Sequence, residues 1–466
     1  MNLSDPPFLL FLAVLVPLFA GLARLRGRVP AGILGLAGLA FYATWNPAFL
    51  LPLLATATTD WAVGRALGRT GGAGRRRALL AVSLTVDLGL LLAFKAWEPL
   101  VAGLSRVLPL APGWRLLAFT GLSFYTFQSL SYVLDVHRGH QPPERSFLRY
   151  LAFVAFFPTL LAGPITRAEV LLPQFDRPPR VMDPALAAEA FFLLALGFVK
   201  KAGADHLGVQ LVDRVFEQPL FFSSLEVAGG VYGYAAQIWL DFSGYSDLAL
   251  GAALLLGFRL KDNFNSPYRA ASLPEFWQRW HISFSTWLRD YLFFNLPGKR
   301  TRLGPTLAII ATFLAGGLWH GVAWTFLAWG AVHGAGLALW RAFEPRGRGP
   351  RLPQPRWKRV LGVAATLHVV LLGWIFFRAD GLEQAGQILS RLVDGTTGRG
   401  NLPLDALLLT GLAFAVQWLP EGWLPRLCDR FTALPAPAQA LLLAAVAVLV
   451  RAAAGTRVAG FIYQGF

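Results

Sequence analysis

Charge is scarce in this chain. Of its 466 residues, 15% are Asp, Glu, Lys or Arg and 55% are hydrophobic, with a mean hydropathy of +0.50. A soluble domain carries about 25% charged residues, so there is too little polar surface to cover a water-soluble body of this length. Cysteine is scarcer still. Cys428 stands alone, which excludes an intrachain disulfide, a Cys-rich zinc site and a paired redox motif, and it reads as an inert thiol. Basic residues are missing ahead of the first apolar run, where Met1-Asn2-Leu3-Ser4-Asp5-Pro6-Pro7 offers only Asp5. A secretory signal needs them there, so a retained first span is expected, with Arg24 to Arg28 behind it and the N-terminus outside the cytoplasm. Internal repeats, long low-complexity segments and any sign of a separate soluble domain are lacking too. So are the Gly-x-Ser-x-Gly, His-Glu-x-x-His and Gly-x-x-x-x-Gly-Lys motifs.

Apolar length is what the chain has. Hydrophobic blocks of roughly 17–22 residues recur, enough to cross a hydrocarbon core of about 30 Å. They predict spans at 7–23, 31–46, 48–64, 78–97, 116–136, 147–163, 186–204, 304–320, 322–341, 359–377, 402–420 and 437–456. A longer stretch, 228–258, is polar in its middle. The expected fold class is all-α: one polytopic membrane domain over 1–466, with about 11–14 membrane helices including re-entrant or broken ones.

The excess of 42 Lys+Arg over 26 Asp+Glu, net +16, would suggest nucleic acid in a soluble chain. Here the basic residues fall between blocks, as at Arg75, Arg76, Arg77 and at Arg341, Arg346, Arg348, Arg351, and read as cytoplasmic loops. Nucleic acid is therefore not expected as a partner; the lipid bilayer is. Alternation from an outside N-terminus puts 65–77, 137–149, 200–201, 299–302 and 341–359 inside, provided that 228–258 is a hairpin or broken re-entrant pair. Near-zero loops at Asn46-Pro47 and Gly321 mark further breaks, which are tolerated where protein or a water-filled cavity meets the free backbone. Segment 272–295 opens with Ser272-Leu273-Pro274-Glu275, a helix-start pattern. Its three tryptophans, Trp277, Trp280 and Trp287, among Gln278, Arg279, Arg289 and Asp290 predict a helix in the headgroup layer.

Polar residues at membrane depth are costly and are the first candidates for chemistry. His320, in Gly316-Gly317-Leu318-Trp319-His320-Gly321, lies where two apolar blocks meet, with glycines that allow close approach. A neutral imidazole there is either a general base for a hydroxyl or a bundle histidine satisfied by hydrogen bonds. His281 is a second candidate, with a headgroup-level polar residue as the alternative. His333, thirteen positions past His320, reads as packing, and His368 as a hydrogen-bonding residue in mid-span. Asp241-Phe242-Ser243-Gly244-Tyr245-Ser246-Asp247 sets two carboxylates in an apolar run: either the lining of a polar tunnel or a helix-breaking turn that satisfies its own backbone. Asp262-Asn263-Phe264-Asn265-Ser266-Pro267-Tyr268 reads as a structured loop.

These motifs together resemble the membrane-bound O-acyltransferase (MBOAT) family, in its bacterial branch of alginate O-acetylation and teichoic-acid D-alanylation proteins. Phe124-Tyr125-Thr126-Phe127-Gln128-Ser129-Leu130-Ser131-Tyr132, Ala162-Gly163-Pro164-Ile165-Thr166-Arg167 and 241–247 come first. Asn263 to Tyr268, Glu275 to Ser283, Trp287 to Leu292, 316–321 and the tail Phe461-Ile462-Tyr463 follow in family order. The chain departs from the branch at Asn295-Leu296-Pro297-Gly298-Lys299-Arg300, a shortened loop placed to meet donor or partner.

The resemblance implies that His320 and His281 are the catalytic histidines of a membrane core hollowed from both sides. Asp241, Ser243, Tyr245, Ser246, Asp247, Asn263, Trp280 and Trp319 are the candidate substrate-binding residues. The expected reaction moves an acyl group, acetyl foremost, from acetyl-CoA or an acyl-carrier thioester in the cytoplasm to a hydroxyl of an extracytoplasmic acceptor. No metal and no permanently bound cofactor are expected. The resemblance also implies the bacterial cytoplasmic (inner) membrane, an extracytoplasmic transferase partner for polysaccharide and an acyl carrier protein as a possible donor. The rival class is a transporter or flippase whose polar path carries no acyl chemistry.

Overall fold

The computed structural model describes residues 1–22, 29–97, 121–176, 181, 183–296, 298, 301, 303–343, 355–453 and 462. Arg24, Arg26, Arg28, Arg346, Arg348, Arg351, Pro297, Lys299, Arg300, Phe461 and Tyr463 lie outside them, as do residues 116–120 of the expected span 116–136. All regular structure among the described residues is helical. The N-terminal part contains α1 (Pro6–Leu22), α2 (Val29–Ala43), α3 (Leu50–Leu67), α4 (Ala73–Lys95), α5 (Leu122–Arg138) and the short α6 (Phe147–Val154). The middle holds α7 (Pro184–Leu207), α8 (Ser224–Leu255), α9 (Leu273–Arg279) and α10 (Ile282–Trp287). The rest is α11 (Gly304–His320), α12 (Trp324–Phe343), α13 (Arg356–Arg378), α14 (Leu382–Val393), α15 (Leu404–Ala415), α16 (Trp423–Thr432) and α17 (Ala436–Ala453).

By length and composition α4 and α13, 23 residues each, are apolar enough to cross a bilayer, and α1, α2, α15 and α17 are shorter apolar helices. Large apolar side chains stand exposed on several of these helices, among them Leu10, Leu92, Val360, Leu408, Leu441 and Val448. Such surface is expected against lipid and would be a liability in water.

Contacts sort the loops into two ends. At one, Arg76 donates to the carbonyls of Leu67 and His137, Arg149 pairs with Asp176, Arg167 with Asp290, Arg259 with Glu189 and Arg279 with Glu275. This is the basic end. At the other, Arg378 pairs with Asp213, Arg391 donates to Phe222 O, and Ser223 donates to Gly398 O.

Three expectations are corrected here. First, 147–163 is not a crossing. α6 enters from the basic end, the chain turns within the protein, and Arg149 reaches both Asp176 and Leu172 O on the returning side. The turn is satisfied internally, since Gln128 donates to Phe153 O and Thr159 to Phe156 O; irregular backbone at membrane depth survives only where protein receives it.

Second, 228–258 is not a broken pair. α8 is one continuous helix of 32 residues, about 48 Å long at 1.5 Å per residue. It starts at a capping box of Ser223 and Glu226. It ends where Gly257, at φ +82°, lets Phe258 N reach Ala253 O, a left-handed closure that glycine takes without strain. Its polar middle does not break it because the carboxylates pair sideways with α7: Asp241 with Lys201 at 3.0 Å and Asp247 with Lys200 at 2.6 Å. Third, Lys200 and Lys201 are therefore not in a loop at the basic end. They face α8 from within α7, and Lys201 also holds Asp205 at 2.6 Å. Gly244 allows this approach, since a Cβ there would sit 2.9 Å from Lys200 Cβ and 3.0 Å from Gly197 O.

A second buried polar network joins α3, α4, α5 and α6. Asp60 accepts from Ser83 and Ser129, each at 2.6 Å, Ser129 meets Tyr150 at 2.7 Å, and Asp87 accepts from Thr56 at 2.8 Å. Polar groups in a low-dielectric interior must be partnered in this way.

Candidate active site

α11 stays apolar to its last residue, His320, and the chain reverses through Gly321 into α12. The two helices pack closely because Gly317 and Gly330 face the partner backbone. A Cβ on Gly317 would come within 2.3 Å of Phe326 O, and one on Gly330 within 2.5 Å of Phe313 O. The His320 ring is 2% exposed. Trp319, Phe377, Trp329 and Phe284 close around it, with ring centroids at 4.7, 4.9, 5.1 and 5.7 Å. The open approach from both sides implied by the resemblance is not seen at this ring, although Val322, Ala323 and Trp324, just beyond it, are exposed.

His281 lies elsewhere than expected. Segment 272–295 is not one surface helix: it breaks between α9 and α10, and His281 sits in the break at φ +42° and ψ +56°. A left-handed backbone at a residue other than glycine costs of order 1–3 kcal/mol and persists only where its surroundings enforce it. Asn263 does so. Its backbone carbonyl accepts from Ile282 N at 2.9 Å, and its Oδ1 accepts from Ser283 N at 3.1 Å and Ser283 Oγ at 2.9 Å. Trp277, Trp280 and Trp287 are buried, not at a headgroup surface, because the break turns their faces into the bundle.

The same contacts assign the His281 tautomer. A backbone N–H can only donate, so Ser283 N fixes which end of the Asn263 amide is oxygen. That oxygen lies 3.2 Å from His281 Nδ1, so Nδ1 carries the proton and donates. In the neutral ring Nε2 then holds the lone pair. Phe284 contacts both imidazoles, at 5.0 Å from His281 and 5.7 Å from His320.

The structure thus gathers His320, His281, Trp319 and Asn263, and links Ser246 to them through Asn263 Nδ2 at 3.4 Å. Ser243 and Tyr245 are buried on α8. Asp241 and Asp247 are turned to Lys201 and Lys200, and Asp241 also accepts from Ile462 N at 2.7 Å. Trp280 packs behind the site against Trp374, at 4.9 Å. His333 is fully buried one ring beyond His320, with Trp329 touching both at 5.1 Å. His368 makes the hydrogen bonds expected of it, to Tyr232 OH and Ala364 O, but on an exposed face of α13 and not inside the bundle. Lys95, at the end of α4, is a neighbour the sequence reading missed: it donates to the carbonyls of Trp319 and His320. A lysine at the end of an apolar span ordinarily snorkels to the interface, so nothing in the sequence marked this one.

At the basic end a cavity of about 460 Å³ is lined by Asp135, Arg138, Arg167, Glu169, Asp290 and Phe294, among others. Arg167 reaches Tyr291 OH and Asp290, and Tyr291 donates to Asp135 at 2.6 Å. Burial works against the charge of Asp290, but the hydrogen bond from Arg289 and the charge of Arg167 outweigh it and hold that carboxyl below the usual range. From this cavity an aromatic column leads inward: Tyr291 to Trp287 at 5.2 Å, Trp287 to Phe127 at 4.0 Å, Phe127 to Trp319 at 5.2 Å and Trp319 to His320 at 4.7 Å. Among the described residues no group of three or more His, Cys, Asp or Glu side chains is arranged to hold a metal ion.

The chain is similar to known proteins. Residues 118–378 match the model of the membrane-bound O-acyltransferase family. The chain is 37% identical over 414 residues to the probable alginate O-acetylase AlgI of Pseudomonas aeruginosa, covering 86% of this chain and 77% of that protein. It is 32% identical over 395 residues to a peptidoglycan O-acetyltransferase of Helicobacter pylori, covering 77% and 72%. To a teichoic acid D-alanyltransferase of Streptococcus thermophilus it is 30% identical over 287 residues, covering 56% and 68%. The family model takes in the re-entrant α6, the Asn263–His281 lock and the end of α11, and the chain belongs to the membrane-bound O-acyltransferase family, an acyltransferase of the bilayer.

Proposed function

We propose that this enzyme carries an acyl group, acetyl foremost, from a cytoplasmic thioester to a hydroxyl outside the membrane, on a cell-surface polysaccharide or on the transferase that modifies one. The observation that carries the reading is His320 at the end of α11, joined by a continuous aromatic column to the basic-end cavity. Two of the relatives are named for O-acetylation, one toward alginate and one toward peptidoglycan. The basic end faces the cytoplasm of a bacterial inner membrane under the positive-inside rule, and the chain is multi-pass. Arg138 and Arg167 at the cavity attract an anionic donor, acetyl-CoA or a carrier-bound thioester.

The acyl chain follows the aromatic column, displacing its cover over His320. The His320 imidazole takes the proton of the acceptor hydroxyl, and the freed oxygen attacks the thioester carbonyl carbon. The carbon–sulfur bond then breaks, and the thiolate leaves with the proton held on His320. His281, with its lone pair on Nε2 and its ring 5.0 Å from Phe284, orients the reactants. The donor brings its own activated bond, so the protein's share is positioning and a base.

His320→Ala tests this in membrane vesicles supplied with radiolabelled acetyl-CoA, scoring O-acetyl ester formed per folded enzyme. A loss of about 10²–10⁴-fold is expected for a removed general base. Wild-type turnover in that variant refutes the role.

A further inference from the structure

The C-terminal end of α11 poses an electrostatic problem for acyl transfer. A helix leaves its last carbonyls without intrahelical partners and gathers there about half a negative charge. His320 is the last helical residue, so this negative end lies at the imidazole. Transfer from a thioester passes through a tetrahedral intermediate whose oxygen is an anion, and sites for such chemistry aim donors or cations at it. A bare helix C-terminus has the wrong sign.

Lys95 meets that end. It closes α4 and comes from 225 residues away in the chain. Its Nζ donates to Trp319 O and, at 3.2 Å, to His320 O, and lies 5.6 Å from the centroid of the Trp319 ring. The Gly321 amide takes only Gly317 O, at 3.2 Å, so the carbonyls of Trp319 and His320 are left to Lys95, and satisfying them requires a donor but not a charge. Lys95 is the last residue of α4 and partly exposed; a lysine at a span's end ordinarily snorkels to the interface, but this one turns onto α11, where a neutral donor would have served for capping alone.

We propose that Lys95 is a positioning residue for the reaction at His320. Its ammonium anchors the last turn of α11 and reverses the sign of the field at the helix end where the oxyanion forms. The inference rests on His320 being the base. Three substitutions separate its parts: Lys95→Arg keeps the charge, Lys95→Gln keeps N–H donors without charge, and Lys95→Met keeps only the stem. Each full-length variant is purified in detergent, its thermal midpoint measured, and kcat and KM determined with radiolabelled acetyl-CoA per folded molecule.

The expected result is a fall in kcat of about 10²–10³-fold for Lys95→Gln and Lys95→Met, the scale of a lost oxyanion contact. KM for acetyl-CoA should stay within about threefold, and Lys95→Arg should recover at least about a tenth of wild-type kcat. If Lys95→Met fails to fold, the Gln and Arg variants decide alone. A Lys95→Gln enzyme with wild-type kcat overturns the proposal, and so does a Lys95→Arg enzyme as slow as Lys95→Gln. His320→Ala run in parallel separates the two readings: an active His320→Ala removes the base itself, whereas an inactive one beside an active Lys95→Gln removes only the role of Lys95.

Discussion

Replacing Asn263 by Ala should unseat His281 without touching it. Asn263 is 2% exposed, and its Oδ1 is the acceptor for Ser283 N, Ser283 Oγ and His281 Nδ1. The Ser283 hydroxyl can rotate toward another acceptor, but the backbone N–H and the ring N–H are fixed. A buried donor left unpaired costs about 1–3 kcal/mol, so two of them set a loss of roughly 2–6 kcal/mol. Part of the left-handed strain at His281 is released at the same time, because the bond that holds its ring is gone. The net effect should lie in the lower half of that range, with a larger effect on turnover than on fold. Thermal unfolding in micelles at a fixed scan rate measures the first and acetyl transfer the second. Ser283→Ala removes the rotatable donor and also the acceptor of Ile165 N at 3.0 Å, and should cost about 1–3 kcal/mol. The double variant should be less destabilised than the sum, because the two residues share one interaction. An Asn263→Ala enzyme with an unchanged midpoint and unchanged turnover would mean that the lock is not what holds His281.

Two further substitutions probe the frame. Gly244→Ala puts a methyl 2.9 Å from Lys200 Cβ and 3.0 Å from Gly197 O; it should cost about 1–3 kcal/mol as overpacking, read as a lower thermal midpoint, and an unchanged midpoint would show that α7 and α8 have slack. Lys201→Met leaves the 1% exposed Asp241 without its cation and should cost about 3–5 kcal/mol, while Lys201→Met combined with Asp241→Leu should regain part of the loss; the same assay checks both, and a double variant worse than the single would contradict the pairing.

What could be read from the sequence was local. Apolar length gave the helices, and the glycines around His320 gave a helix end and a close crossing. Ser272 gave a helix start, where its side chain does accept from Glu275 N at 3.3 Å. What could not be read was pairing at a distance. Asp241 and Asp247 looked like a break because their lysines sit about forty residues upstream, near the end of α7, and a carboxylate with a cation opposite is no longer a reason for a helix to open. The crossing expected at 147–163 failed for the complementary reason. Its residues are apolar, but they face protein on every side: Phe153, Ala155, Phe156 and Phe157 are fully buried, and hydropathy cannot distinguish burial in protein from burial in lipid.

Both histidines of the site stand where helical order stops, His281 between two short helices and His320 at the last residue of a long one. In water such ends are satisfied by solvent; at membrane depth each free N–H or C=O must find a protein partner. Asn263 supplies one set by accepting from the chain after His281, and Lys95 supplies the other by donating to the carbonyls at His320. The position of each imidazole is therefore set by a polar residue remote in sequence, 18 positions away for His281 and 225 for His320. A catalytic group on an unbroken helix would have needed neither partner, but its backbone could not have turned the ring out of the helix's own packing. The breaks bring the two rings to the same Phe284, at 5.0 and 5.7 Å, and the two partners make those breaks affordable in an apolar interior.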